Sequence, residues 1–399
     1  MMKKLLCVAL VLLMILPIFA ACQDDGGNGG ADVAPPAENG NDDVVVPAGD
    51  WKIGIVTGTV SQGEEEFMAG QKMLERHGAD RIMHVTYPDR AADEIETTIA
   101  QVMSLVDAGV DAIIFNQAVI GSLPALQRAR QANPDLLIIA GTIAEPTRAL
   151  AQYTDIILQS DDVGRGVTIM EQAHAQGATT FVHYSFPRHL AIDMINRRYI
   201  LLQETADRLG IDFVNVMAPD PMGDAGVPGA QQFIIEDVPR QVAEFGPDTA
   251  FFSTNCAMQE PLIRQVMAYG AIYPEPCCPS PFHAMPAAFN IQYEPGEADL
   301  AWMIDQISAV VAAEGMAGRI SNWSVPLNML NIEAGVKYAI MFLEGETNGR
   351  LDRAALDRAM QYVLDEYGAS IQSMQPFEDE EGVLENVFMI LGDFANFGT

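Results

Sequence analysis

Short apolar runs alternate with stretches of helical period in two successive series along this chain. No other feature constrains its fold as strongly. The first series opens at Lys52-Ile53-Gly54-Ile55-Val56, which ends in Thr57-Gly58 and leads through a polar loop into a helical stretch from Glu64 to Arg76. Arg81 to Val85 reads as a second strand. Ile95, Ile99, Val102 and Val106 then recur at the spacing of one helix face, and that helix ends at Gly109. Ala112 to Phe115, Leu136 to Ala140 and Ile156 to Leu158 supply three more strands. After Gln159-Ser160-Asp161-Asp162-Val163-Gly164 the pattern restarts. Strands Thr180 to His183, Asp212 to Met217, Ala250 to Ser253 and Ala271 to Tyr273 alternate with helices Ala191 to Leu209, Ile234 to Phe245 and Pro261 to Tyr269. A strand that returns through a helix pairs parallel with its predecessor, and a parallel sheet is covered on both faces. Two such series predict an α/β protein of two doubly wound parallel-sheet lobes joined by a hinge. The chain of 399 residues, 49% hydrophobic, is long and apolar enough for two cores. The expected division gives 51–160 plus roughly 286–330 to the first lobe and 161–285 plus roughly 331–399 to the second.

The first 50 residues belong to neither lobe. Met1 to Lys4 carries two positive charges and Leu5 to Leu16 is uninterrupted apolar sequence. This run is shorter than the roughly 20 residues that span a bilayer and suits the hydrophobic region of a signal peptide over 1–21. Phe19-Ala20-Ala21-Cys22 resembles the bacterial lipobox, which makes Cys22 the expected site of lipidation. From Gln23 to Asp50, Gly, Pro, Asn and Asp fill 18 of 28 positions, with seven acids and no base, so this stretch has nothing to bury and reads as a solvated tether. The expected location is extracytoplasmic, anchored to the cell membrane by lipid and periplasm-facing in a two-membrane cell. The formal charge of −32 repels phosphate backbones, which excludes nucleic acid as a partner.

The order of these elements resembles the type I periplasmic solute-binding proteins. The features that carry the likeness are the strand–turn–helix from Ile53 to Phe67 and the strand entry Gly109-Val110-Asp111-Ala112-Ile113-Ile114. Asp161-Asp162-Val163-Gly164 looks like the first crossing between lobes, and Met194 to Leu202, with Arg197 and Arg198, looks like the first helix of the second lobe. Within that superfamily the chain looks nearest to an uncharacterised family of bacterial lipoproteins, related more loosely to the basic membrane protein and nucleoside-binding group. The resemblance implies that two lobes close on a small polar solute, such as a sugar or nucleoside, and present it to a membrane permease with its ATPase. A sensory receptor reporting to a membrane signalling partner shares the fold and is the alternative. Neither reading includes a cofactor or a catalytic residue.

In open parallel sheets, ligands bind beyond the carboxyl ends of the strands, where helix N-termini offer free N–H groups. In the first lobe this rule selects Gly58, Thr59, Ser61, Gln62, Glu65, Glu66 and Phe67 after the first strand, Asn116 and Gln117 after the third, and Gly141 and Thr142 after the fourth. In the second it selects Tyr184, Ser185, Phe186, Arg188 and His189, then Asp220, then Thr254 and Asn255, then Glu275 to Phe282. The set is rich in amides, hydroxyls and aromatic rings, as a site for a polar solute requires. A Glu facing the crevice favours a hydroxyl pair or a positive group, whereas Arg188 and His189 favour a carboxylate or carbonyl.

Other chemistries fit less well. Gly58 and Gly63 have the outer spacing of a phosphate-binding loop, but Glu64-Glu65 stands where Lys-Ser/Thr is needed. Thr59-Val60-Ser61-Gln62-Gly63 approaches a nucleophile elbow, yet Thr59 occupies the position of a small residue, and His283 is the one plausible base for a Ser61 hydrolase. Cys256, Cys277 and Cys278 follow two successive strands of the second lobe. Three states are open to them: a disulfide from Cys256 to one of the pair, unpaired thiols, or a metal site completed by His283.

Overall fold

A computed structural model describes residues 49–60, 63–293 and 299–399. The signal segment, Cys22, the tether to residue 48, Ser61 and Gln62 lie outside the described residues. The first series forms five parallel strands: β1 (Ile53–Thr57), β2 (Ile82–Thr86), β3 (Ala112–Asn116), β4 (Leu137–Gly141) and β5 (Ile156–Ser160). Every residue of β1, β3, β4 and β5 is buried, as strands covered on both faces must be. The second series supplies β6 (Thr180–Ser185), β7 (Asp212–Met217) and β8 (Thr249–Ser253), parallel and in the order β7-β6-β8. The extended segment 271–273 continues this sheet through single bridges from Ile272 to Ala250 and from Tyr273 to Ile320.

The remaining strands are β9 (Ser321–Trp323), β10 (Ile371–Asp379), β11 (Gly382–Gly392) and β12 (Phe394–Asn396). They correct the expected division of the C-terminal third. β10 and β11 form an antiparallel hairpin, and β11 pairs parallel with β5 from Val387–Ile157 to Ile390–Ser160. The first sheet therefore has seven strands, ordered β10-β11-β5-β4-β3-β1-β2. Helices Leu327–Leu343 and Arg353–Tyr367 share a core with Ile53, Ile114 and Ile139. Helices Met285–Phe289 and Leu300–Ala313 pack with Val182, Phe251 and Tyr273 in the second lobe. The described residues between 286 and 320 thus pack in the second lobe and 327–392 in the first, the reverse of the expectation. The physical reason is the open edge of β5, which β11 completes, together with the burial of the helices that then cover that sheet. Helix Leu327–Leu343 is apolar nearly all round because it lies between the sheet and the helices Glu64–His77 and Arg353–Tyr367. Its buried Glu333 accepts from Lys72 at 2.8 Å and from Tyr367, which staples the three helices together.

The chain passes between lobes at Asp161–Gly164, at Ser324–Pro326 and at Asp393. Backbone bonds Asp161 N to Ile390 O, 2.8 Å, and Ser324 N to Asp393 O, 2.7 Å, tie the crossings to one another. After the last crossing β12 pairs with β9, and Phe397 is fully buried in the second core.

Candidate functional site

The carboxyl ends of β1, β3 and β4 meet the start of helix Glu64–His77 in one polar patch of the first lobe. Its centre is supplied by two residues from far along the chain. Asn328 and Asn331 lie in the first turns of helix Leu327–Leu343, where an i,i+3 spacing puts them on one face. Asn328 Oδ1 accepts from Thr142 Oγ1 at 2.6 Å and from Asn116 Nδ2 at 3.2 Å. Its Nδ2 donates to Glu66 Oε1 at 3.0 Å and to Glu65 Oε1 at 3.1 Å. Asn331 Nδ2 reaches Asn116 Oδ1, Thr142 Oγ1 and Leu158 O, each at 3.3 Å. Gln117 Nε2 donates to Glu66 Oε1 at 2.6 Å. Of the residues selected at the strand ends, Asn116, Gln117, Thr142 and Glu66 are brought together in this network. Asn328 and Asn331 were not selected by it. Their signal was a pair of amides opening an otherwise apolar helix.

The patch leaves buried polar atoms unmatched. Glu66 is 1% exposed, and desolvation, followed by the neighbouring Glu65, pushes its carboxyl up to about 8. Burial also raises Glu65, against a hydrogen bond from Ser280. Glu66 Oε2 and Asn331 Oδ1 are buried polar atoms without a hydrogen-bond partner among the described residues. Unmatched buried polar atoms are costly unless something else supplies a partner. Gly141 keeps this network intact: a Cβ there would fall 2.1 Å from Asn116 Oδ1 and 2.9 Å from Asn331 Nδ2. Gly141→Ala is therefore expected to cost about 1–3 kcal/mol through overpacking. Its urea midpoint should fall below that of the native chain, and an unchanged midpoint would show that the asparagines relax freely.

Elsewhere in the first lobe the expected residues serve local structure. Thr59 Oγ1 donates to Asp89 Oδ1 at 2.5 Å, next to Gly58 at the end of β1. Phe67 turns onto β2, with its ring 5.2 Å from that of His84.

In the second lobe Ser185, Thr254 and His189 cluster at the carboxyl ends of β6 and β8. Ser185 Oγ and Thr254 Oγ1 lie 3.0 Å apart, and His189 Nδ1 is 3.1 Å from the same Thr254 hydroxyl. Burial and the adjacent Arg188 lower His189 to about 4, so it is neutral. Three expectations are corrected here. Tyr184 points into the core, stacked on Phe251, where its hydroxyl donates to Asp237 at 2.9 Å. Arg188 is committed to Asp220 by two bonds of 2.8 and 2.9 Å and lies over the Phe186 ring, so its charge is already matched. Asn255 caps the turn Cys256–Met258 by accepting from Ala257 N at 2.9 Å. Phe282 packs half-buried, with its ring 6.2 Å from that of Tyr293.

The two faces meet where Ser280 Oγ donates to Glu65 Oε2, and where Tyr293 OH lies 3.4 Å from Glu64 Oε2. Ser280 belongs to the segment Glu275-Pro276-Cys277-Cys278-Pro279-Ser280-Pro281, in which three prolines restrict the backbone. Arg165, buried at the start of helix Arg165–Ala175, holds that segment. Its Nε donates to Glu275 Oε1 at 2.5 Å, Nη2 to Pro276 O at 2.8 Å and Nη1 to Cys277 O at 2.9 Å.

Cys256, Cys277 and Cys278 are free thiols that converge here. Their sulfurs lie 3.1 Å (Cys256–Cys277), 3.5 Å (Cys256–Cys278) and 3.8 Å (Cys277–Cys278) apart, and Cys277 Sγ is 3.7 Å from His283 Nε2. Hydrogen bonds from Cys277 and then Cys278 draw the Cys256 thiol well below its ordinary value. Burial pushes Cys277 up.

The chain is similar to several proteins of known sequence or structure. An uncharacterised protein of Treponema pallidum (strain Nichols) is 31% identical over 42% of this chain and 77% of its own length. The crystal structure of a Clostridium difficile 630 protein, whose name provisionally makes it a transcriptional regulator, matches with a TM-score of 0.76 and 23% identity over 87% of this chain and 99% of that one. A sugar ABC transporter protein from Actinomyces odontolyticus ATCC 17982 matches at 0.54 and 12% identity, over 88% and 95%. A periplasmic ribose ABC transporter protein from Conexibacter woesei DSM 14684 matches at 0.51 and 13%, over 80% and 98%. The fold is that of the type I periplasmic binding proteins. Over residues 51–321 the chain belongs to the family described as "Protein of unknown function (DUF3798)".

Proposed function

We propose that this protein is a solute-binding protein, held outside the cytoplasm by lipid on Cys22, that closes its lobes on a small polar solute. It then delivers the solute to a membrane permease driven by an ATPase, without catalysing a reaction. The reading is supported by two buried polar atoms with no partner among the described residues, Glu66 Oε2 and Asn331 Oδ1, at the carboxyl ends of the strands. A solute with a hydroxyl pair, one accepting from protonated Glu66 and the other donating to Asn331, would satisfy both and recover the cost of burying them, and a cationic solute would do so by drawing the proton off Glu66. Arg188 is already paired with Asp220, so its charge is not free to match a solute carboxylate. Ser185, Thr254 and neutral His189 would complete the contact from the other side. Closure follows because a ligand touching both lobes stabilises the closed state by its contacts with the second.

Native mass spectrometry of the full chain, purified from its own host, is the test. One small molecule per chain, lost on denaturation, is the expected result. Asn328→Ala should weaken its binding by about 10–100-fold, as the loss of a hydrogen bond at a charged site does. A chain that arrives empty, and shows no thermal shift with sugars, nucleosides or amino acids, would overturn the reading.

A further inference from the structure

We propose that Cys256, Cys277, Cys278 and His283 form a tetrahedral site for a thiophilic d10 metal ion, with Zn2+ as the ion to test. The four donor atoms all lie within 4.8 Å of one another. Around a zinc ion with ordinary bond lengths, tetrahedral donors are about 3.8 Å apart for two sulfurs and about 3.6 Å for sulfur and nitrogen. The Cys277–Cys278 and Cys277–His283 separations of 3.8 and 3.7 Å already have those values. The two edges at Cys256, 3.1 and 3.5 Å, must lengthen by about 0.7 and 0.3 Å to reach the sulfur–sulfur value, and Cys256 is exposed enough for its sulfur to move outward. A single disulfide would use two of these thiols and leave the third thiol and the imidazole without a role. One metal ion uses all four.

The donors are also organised in advance. Cys256 opens the turn after β8, Cys277 and Cys278 sit between Pro276 and Pro279, and His283 follows Pro281 with its backbone N bonded to Ser280 O at 3.0 Å. Arg165 fixes the carbonyls of Pro276 and Cys277 from behind, so the backbone is held in the way that second-shell bonds hold other metal sites. Three sulfurs and one imidazole select a soft or borderline ion and reject Mg2+ and Ca2+, which take oxygen ligands. On binding, three Zn–S bonds and one Zn–N bond form, each coordinating thiol gives up its proton to solvent, and no redox partner is required. All four ligands come from the second lobe, so the site does not depend on solute binding. It does bear on closure, because the segment it would fix carries Ser280, which meets Glu65 of the first lobe.

The test uses the full chain, reduced anaerobically with a phosphine and titrated with Zn2+ against a chromophoric chelator. Co2+ serves as a spectroscopic substitute. One Zn2+ per chain, and a Co2+ complex with sulfur charge-transfer bands and intense tetrahedral d–d bands, are the expected results. His283→Ala and Cys278→Ser should each weaken Zn2+ by at least the ~10–100-fold that loss of an outer-shell partner costs a metal site. Asn328→Ala, which weakens the solute, should bind Zn2+ as the native chain does, so failure of the solute reading and failure of this one are distinguishable. Zn2+ bound no more tightly than by a chain with all three cysteines replaced by serine would overturn the proposal. So would an octahedral Co2+ spectrum, or a disulfide among these cysteines in the chain as isolated from its host.

Discussion

Arg165→Ala is expected to lower the unfolding free energy by about 3–5 kcal/mol, the cost of removing one partner of a buried ion pair. Arg165 is 1% exposed and Glu275 is fully buried. The guanidinium also bonds Asp162 at 2.8 Å and two backbone carbonyls, and it lies over the ring of Trp323. Alanine leaves the Glu275 carboxylate without its counter-ion in a site whose desolvation already raises it. The nearby Arg198 is already bonded to Asp162 through Nη1 at 3.1 Å, so it compensates the loss only in part. Two controls separate charge from packing. Adding Glu275→Gln to the Arg165→Ala chain should restore part of the loss, since the uncompensated charge is gone. The single variant should also gain stability relative to native as pH falls, because protonated Glu275 no longer needs a cation. Urea unfolding reads all of these. A loss below about 1 kcal/mol, as for an exposed ion pair, would mean that water reaches the site.

The second large effect is a dependence of stability on pH through Glu66. Its carboxyl lies at about 8 in the folded chain and near 4.5 when unfolded. Between those values the folded state holds a proton that the unfolded state has released, so stability falls as pH rises. The contribution is complete below about pH 4.5 and is lost as pH rises through about 8. Burial shifts Glu65 in the same direction. The expected loss across that window is several kcal/mol in the solute-free protein, as a rise of more than one pKa unit implies. Glu66→Gln keeps the shape and removes the titration, so its urea midpoint should decline less from acid to neutral pH and exceed the native value near pH 8. Parallel native and variant profiles would place the titration elsewhere. A cationic solute would reverse the trend by holding Glu66 ionised, so the profile measured with solute present also reports its charge.

Much of the crevice was legible because the carboxyl end of a strand is a local feature. Asn116, Gln117 and Thr142 follow β3 and β4, and Glu66 lies in the first turn after β1, so a rule about strand ends was enough to select them. The same rule gives position but not direction. Tyr184 sits near the end of β6, yet its side chain enters the core, and Asn255 follows β8 but is used up in a cap. Which face a terminal strand residue presents depends on register and on the helices that cover the sheet. The cysteines show the limit from the other side: Cys256 and Cys277 are 21 positions apart in sequence, and only parallel strands side by side bring their sulfurs to 3.1 Å.

The sequence by itself determined the class of fold. Alternating strand and helix periods force parallel sheets, because each helix must bury one face and each returning strand must pair. It also indicated two such units and the polar character of the crevice between them. Only the tertiary structure decided which lobe receives the C-terminal third. The decision came from the open edge of β5, whose unpaired backbone groups are satisfied by β11. That placement carries Asn328 and Asn331 across the chain to Glu66 and Asn116, completing a site whose parts are over 200 residues apart.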